Sequence, residues 1–296
     1  MKTSYIFLVI GKTTESKEAG ESFKRYIGLA SSKVLAVNPD KKELDELMGF
    51  ESQADPEYVV DTDNGKEVRI NFIVRTDPEV NNGIEITNRL MFTLRNTPAY
   101  NRDKTKVQVI DTYGNSSWVD AEAAKAGVQL PCTAKIDQSN YRIAAYGEAD
   151  LVDFLKKYLG VPSSLDYVNG AWTIKANAAD GKFGLEHIKD YFSGNFSELK
   201  EALKLQPNNK VKLLYGVRTS EEGKQYQAIA SRGELILRNN AGSSAIARME
   251  KDLISLKAAG SYPTTEFKVA ELQEYTVEAT NLEKPVEDTS SEMPWD

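Results

Sequence analysis

Apolar and polar side chains alternate along two neighbouring stretches of the chain, residues 68–75 and 86–95, which are rich in β-branched and aromatic residues. A polar interval with an Asn-Gly pair at positions 82 and 83 separates them. This pattern predicts two strands joined by a loop. Because successive side chains of a strand point to opposite faces, each strand has one apolar face. That face comprises Ile70, Phe72, Val74, Leu90, Phe92 and Leu94.

The opposite face of these two predicted strands carries four arginines. Its members are Arg69, Asn71, Ile73, Arg75, Arg89, Met91, Thr93 and Arg95. Arginines gathered on one sheet face need an explanation in a chain whose net charge is −7. We interpret this face as a surface for a polyanion and expect single-stranded DNA as the ligand. The alternative is a solvated sheet face whose charges guard an exposed edge against aggregation.

A second alternating pair, residues 210–218 and 224–230, predicts another hairpin. Its inward side chains are expected to be Val211, Leu213, Tyr215 and Val217. Lys210, Lys212 and Arg218 share the other face and are expected to form a wall opposite the four arginines.

Helical periodicity is strongest in residues 148–159, where Leu151, Phe154, Leu155 and Tyr158 share a face. A shorter helix is predicted over residues 41–48, which Asn38 or Asp40 can cap and Gly49 ends. Further segments are predicted as strands at 4–10, 33–37, 107–112 and 267–278 and as a helix at 15–27. Short strands interrupted by helices, without regular βα alternation, favour an α+β fold. We predict an OB-like antiparallel β-barrel core with helical insertions and a disordered acidic C-terminal tail.

The same pattern suggests three parts of the chain. Residues 1–64 are predicted to be an N-terminal α/β segment packed on the core. Residues 65–282 are predicted to form the OB-like nucleic-acid-binding core with its insertions, and residues 283–296 the disordered acidic tail.

Composition restricts the chemistry. The single cysteine, Cys132, and the single histidine, His187, allow neither an intrachain disulfide nor a Cys/His zinc cluster. Gly11-Lys12-Thr13 is not a phosphate-binding loop, because Ile6 stands where that motif requires glycine. We therefore expect no enzymatic activity, no metal and no cofactor. The apolar run at residues 5–10 is far below membrane-spanning length, so a cytoplasmic protein without membrane contact is expected.

A groove for a single strand needs cations along the backbone and aromatic faces on which bases stack. The candidate cations are Arg69, Arg75, Arg89, Arg95, Arg102, Lys104, Lys106, Lys210, Lys212 and Arg218. The candidate rings are Tyr100, Tyr113 and Trp118, which are predicted to lie in adjoining loops. Packing in the core is the alternative for these rings, and it is the favoured one for Trp118.

The end of the chain is acidic. Residues 283–296 carry a net charge of −4, which leaves −3 for the other residues. The segment ends in Glu292-Met293-Pro294-Trp295-Asp296, an acid followed by an apolar residue, proline and an aromatic ring. Such a tip is expected to bind a partner protein, and its charge can compete with nucleic acid for the groove. A merely solubilising terminus is the alternative.

This ending resembles the acidic, Pro-aromatic tip that closes single-stranded DNA-binding proteins of bacteria and their phages. Those tips usually end on the aromatic residue, whereas Asp296 follows Trp295 here. Segments within residues 25–39, 111–118 and 141–155 are similar to proteins of tailed phages of gut Bacteroidetes that are often taken to bind single-stranded DNA. The resemblance implies a non-catalytic DNA-binding protein of phage replication, recombination or repair, located in the cytoplasm of an infected bacterial host. It also implies partner proteins recruited through the tail, with a possible homo-oligomer on DNA. The alternative is a virion structural or packaged protein without preference for single strands.

Overall fold

The computed structural model describes residues 24–51, 54–63, 65–111, 114–127, 141–159, 165–168, 171–174, 188–204 and 208–276. Its helices are α1 (Lys41–Met48), α2 (Ala121–Lys125), α3 (Glu148–Leu159), α4 (Ile188–Tyr191), α5 (Ser197–Lys204) and α6 (Ser243–Ala258). The first eight strands are β1 (Tyr26–Val37), β2 (Val59–Thr62), β3 (Gly65–Thr76), β4 (Thr87–Pro98), β5 (Lys106–Asp111), β6 (Ser116–Asp120), β7 (Tyr141–Ile143) and β8 (Ala145–Tyr146). The others are β9 (Leu165–Val168), β10 (Ala171–Ile174), β11 (Val211–Thr219), β12 (Gln225–Ile229), β13 (Ile236–Arg238), β14 (Thr265–Phe267) and β15 (Gln273–Glu274).

The main sheet has the strand order β12-β11-β1-β3-β4-β8, with β2, β13, β14 and β15 attached beside this path. Its ladders are antiparallel. The predicted α+β class is therefore confirmed, and both predicted hairpins are present as β3–β4 and β11–β12. Strand β1 pairs with β3 on one side and β11 on the other, so it joins the two hairpins into one sheet. Residues on both sides of the predicted boundary after residue 64 thus belong to the same sheet.

The connectivity of five strands determines where the two hairpins lie. The chain runs β1-β3-β4 as a meander, continues through α3, and returns as β11-β12 on the far side of β1. The outer two of these five strands, β12 and β4, approach each other, since their Cα atoms come within 8 Å. The ladders of the described residues do not include one between these two strands.

The predicted apolar face of the β3–β4 hairpin forms the core, together with α3. Its side chains are all buried, and Phe72 faces Phe154 of α3 at 4.7 Å between ring centroids. Complete burial of a side chain of this size stabilises the fold by roughly 1.5–3 kcal/mol. Helix α3 has the bounds predicted from its periodicity.

Helix α1 also has its predicted bounds. The Asp40 side chain accepts a hydrogen bond from the Glu43 amide at 2.9 Å, and Gly49 ends the helix with φ of 70°. The helix packs Leu44 and Met48 against Ile73, which is completely buried. Since Ile73 lies among the arginines of β3, α1 covers part of the arginine-bearing face.

Two predictions for the ends of the sheet are wrong. Tyr26 and Ile27, predicted to end a helix, instead begin β1, where they pair with β15. The Tyr26 amide also donates to Oε1 of Gln227 at 2.9 Å, so distant partners override the local helical pattern. The strand predicted over residues 267–278 is reduced to the last residue of β14 and to β15.

Several predictions lie outside the described residues: the strand at 4–10, most of the helix at 15–27, Cys132, His187 and the whole acidic tail. Within the described ranges, no helix combines the length and apolarity needed to cross a membrane. The same ranges contain no cluster of three or more His, Cys, Asp or Glu residues that could hold a metal ion.

Candidate functional site

A cavity of about 590 Å³ lies between the arginine-bearing face of the first hairpin and the second hairpin. We call it the arginine groove. Strands β3 and β4 contribute Glu67, Arg69, Asn71, Asn88, Arg89, Met91 and Thr93, and the other wall consists of Pro56, Glu57, Arg218, Tyr226, Gln227, Ala228, Ile229 and Ser231. The groove exists because β1 holds both hairpins in one curved sheet, whose outer strands β4 and β12 approach each other.

Arg89 is the cation with the fewest partners in the groove. Its side chain is mostly shielded from solvent, and within the described parts of the chain its guanidinium has no hydrogen bond and no carboxylate partner. Burial lowers the pKa of Arg89, although a guanidinium remains protonated at neutral pH. The nearby Tyr58 hydroxyl donates to the Pro39 carbonyl at 2.6 Å, and burial raises the pKa of Tyr58 to about 12. Tyr58 is thus neutral and provides no counter-charge. A desolvated, unpaired cation of this kind favours an anionic ligand.

Arg218 and Tyr226 stand directly opposite each other on β11 and β12. The Arg218 guanidinium carbon lies 6.0 Å from the centroid of the Tyr226 ring. The guanidinium lies over the ring, so the groove holds a cation and an aromatic ring together, and such groups can bind a phosphate and a base.

Glu67 makes the arginine face less basic than its sequence indicates. This glutamate is only 8% exposed, and its carboxylate accepts hydrogen bonds from Nε of Arg69 at 3.1 Å and Nε of Arg95 at 3.2 Å. Cross-strand pairing places Glu67 opposite Arg95, while Arg69 follows two residues along the same face. Two of the four predicted arginines therefore share one negative charge.

Three further predicted cations lie away from the groove and have other partners. Arg75 donates from Nε to Oγ1 of Thr87 at 2.9 Å and pairs with Glu85 at 3.6 Å. Lys210 forms an ion pair with Asp77, and Lys212 donates to the Ala241 carbonyl at 3.2 Å. The two lysines line a separate cavity of about 520 Å³ near α6. Of the predicted opposite wall, only Arg218 lines the arginine groove.

The remaining candidates belong to a small three-stranded sheet, β6-β5-β7, and the turn that leads into it. Tyr100 packs against the apolar side of that sheet, whereas Arg102 and Lys104 are exposed in the turn after β4 and Lys106 is exposed at the start of β5. Trp118 is 42% exposed on β6, so the favoured prediction that it packs in the core is wrong. Tyr113 and the tail residues Glu292, Met293, Pro294, Trp295 and Asp296 lie outside the described residues.

Sequence reasoning did not select Tyr226, Glu67 or the exposed Met91 as site residues. The sequence could have indicated Tyr226, because a hairpin that turns over residues 219–224 places position 226 opposite Arg218. Glu67 precedes the first predicted strand residue by one position, and alternation assigns it to the arginine face.

No protein-family model, curated protein or solved structure matches the chain.

Proposed function

We propose that the protein binds single-stranded DNA in the arginine groove and does so without catalysing a reaction. The observation that carries this proposal is Arg89, a largely desolvated and unpaired guanidinium, in one cavity with Arg218 and Tyr226. Arg89 and Arg218 would contact phosphates, and Tyr226 would stack on a base. Stacking needs an open base face, which a single strand offers and a paired duplex does not.

The strand order supports the same proposal. We propose that β12 closes against β4, so that β1, β3, β4, β12 and β11 form an OB-like barrel with α3 inserted after its third strand. OB-folds bind oligonucleotides over their second and third strands, between the loops that precede strand 2 and strand 5. Here the second and third strands are β3 and β4, and the groove also includes Pro56 before β2 and Tyr226 after the β11–β12 turn.

A role in phage replication, recombination or repair extends this proposal. The protein would coat exposed single strands, and its acidic tail would recruit partner proteins. The alternative, a virion structural or packaged protein, would use the same arginines only for contacts to subunits or genome.

The test is a fluorescence-anisotropy titration of a labelled 20-nucleotide oligo-dT at several salt concentrations, with oligo-U and duplex DNA as competitors. We expect binding that weakens steeply with salt, because phosphate contacts release counterions. R89Q and R218Q should each lower the affinity about tenfold and the logarithmic salt slope by about 0.7. R75Q is the matched control, since Arg75 lies on the same face but outside the groove.

No binding at low salt, together with assembly into large oligomers, would contradict the proposal and favour the structural alternative. Equal losses of affinity for R75Q and R89Q would show a general effect of charge, and the groove would then not be the binding site. Preference for oligo-U would assign the groove to RNA.

A further inference from the structure

Three exposed apolar side chains lie along one route that leads out of the arginine groove. Among the described residues the large exposed ones are Val80, Met91, Trp118, Tyr146 and Ile254. Met91 lines the groove, and Tyr146 and Trp118 follow it along paired strands towards the inserted three-stranded sheet. Covering such exposed apolar side chains with a base removes apolar surface from water, which is favourable.

The first step of the route leads from β4 to β8. Tyr146 is paired with Arg95 and is 45% exposed. The Arg95 guanidinium carbon lies 4.9 Å from the centroid of the Tyr146 ring, so a cation and a ring again stand together at the edge of the groove.

The second step leads from β8 to β6 through backbone hydrogen bonds. The Ala144 amide donates to the Gln108 carbonyl at 2.9 Å, and Gln108 is directly opposite Trp118. Side-chain alternation assigns Gln108 and Trp118 to one face of the small sheet. Ala144 separates β7 of that sheet from β8 of the main sheet, where Tyr146 lies. Two strand spacings across and two residues along separate the Cα atoms of Trp118 and Tyr146 by roughly 12 Å.

The face around Trp118 is open on one side. Its neighbours there are the half-buried Gln108 and the exposed, directly opposite Lys106 and Asp120, whereas Ile110 and Ala144 on the same face are buried against Ala149 of α3. Among the described residues, the core contact of β6 is made by Val119 and not by Trp118.

We infer that a single strand bound in the arginine groove continues past Arg95 and Tyr146 and stacks on Trp118. The inserted β6-β5-β7 sheet is then a second contact surface that lengthens the binding site. This inference rests on the proposed function, and it predicts that affinity depends on oligonucleotide length in a way that Trp118 controls.

The experiment compares oligo-dT of 5 and 20 nucleotides on full-length wild-type protein, W118A and W118F. We expect W118A to lower affinity for the long oligonucleotide about tenfold and to leave that for the short one unchanged, because one lost stacking contact costs that much. W118F should restore most of the loss, because a phenyl ring also stacks on a base. A W172F/W295F variant leaves Trp118 as the sole tryptophan of the three in the chain, and its fluorescence should be quenched by the long oligonucleotide alone.

If wild type binds both lengths, but W118A does not weaken binding and no quenching is seen, the second contact surface is overturned. The proposed binding in the arginine groove would still hold. No binding of either length would overturn the proposed function itself. Equal losses for both lengths, or quenching by the short oligonucleotide, would place Trp118 inside the primary site and would also overturn the inference.

Discussion

At the scale of single residues, Glu67 limits the charge that the groove can offer. Its buried carboxylate holds Arg69 and Arg95 by their Nε atoms. Loss of one or both guanidinium groups would leave the buried carboxylate without full compensation and would lower the stability of the fold by several kcal/mol. The three residues therefore stabilise one another. The same carboxylate repels phosphate. Glu67 therefore fixes the positions of the two arginines and at the same time weakens the binding of an anionic ligand.

Replacing this carboxylate separates the two effects. We expect Glu67→Gln to lower the free energy of unfolding by about 1–3 kcal/mol, since a charge-assisted contact to two guanidinium groups is weakened. Affinity for oligo-dT should rise about fivefold at low salt, because one negative charge beside the bound phosphates is removed. Urea denaturation and the anisotropy titration measure the two quantities. Glu57→Gln, at the opposite wall of the groove, is the control for charge alone. Weaker binding by Glu67→Gln would show that the position of the arginines matters more than the charge.

At the scale of elements, the sequence pattern predicted those helices and strands whose stabilising contacts lie close together in the chain. Helix α1 was predictable because Asp40 and Gly49 are its own caps, and α3 because its apolar face repeats within twelve residues. The β3–β4 hairpin was predictable because alternation survives through both strands. Strand β1 was predicted only over residues 33–37, because its first half depends on β11 and β15, about 180 and 250 residues later.

One glycine joins β8 to α3 beside the route proposed for the ligand. Gly147 has φ of 78°, and a Cβ at this position would lie 2.0 Å from the Thr93 carbonyl oxygen of β4. We expect Gly147→Ala to cost about 2–5 kcal/mol of stability, from left-handed backbone strain and from displacement of β8. Gly223→Ala is the matched control: its φ is 77°, but a Cβ would meet nothing within 4 Å, so only about 1 kcal/mol should be lost. Urea denaturation of both variants gives the comparison. Similar losses would mean that contact with β4 does not constrain this turn.

At the scale of the whole molecule, the site could be predicted only in part, because it depends on how two hairpins come together. Alternation correctly placed Arg69 and Arg89 on one face and Arg218 on another. It did not reveal that Lys212, on the same strand as Arg218, and Lys210, directly before that strand, lie beside a different cavity. Strand β11 is long enough for its two ends to reach different surroundings, and only the pairing of β1 with β3 and β11 decides which end faces the groove.

Net charge is also a property of the whole molecule. Residues 283–296 carry −4 of the total charge of −7 and lie outside the described residues. The prediction that they compete with nucleic acid for the groove therefore rests on their charge. Removal of these residues should strengthen oligo-dT binding several-fold at about 10 mM salt, where the Debye length is about 30 Å, and much less at 0.15 M, where it is about 8 Å. The anisotropy titration at both salt concentrations measures this difference. A full-length variant with the five tail acids changed to amides should behave like the truncated protein if charge is the cause. If only the truncation strengthens binding, the tail acts through contacts of its apolar tip, and if neither change alters affinity at low salt, competition between tail and ligand is excluded.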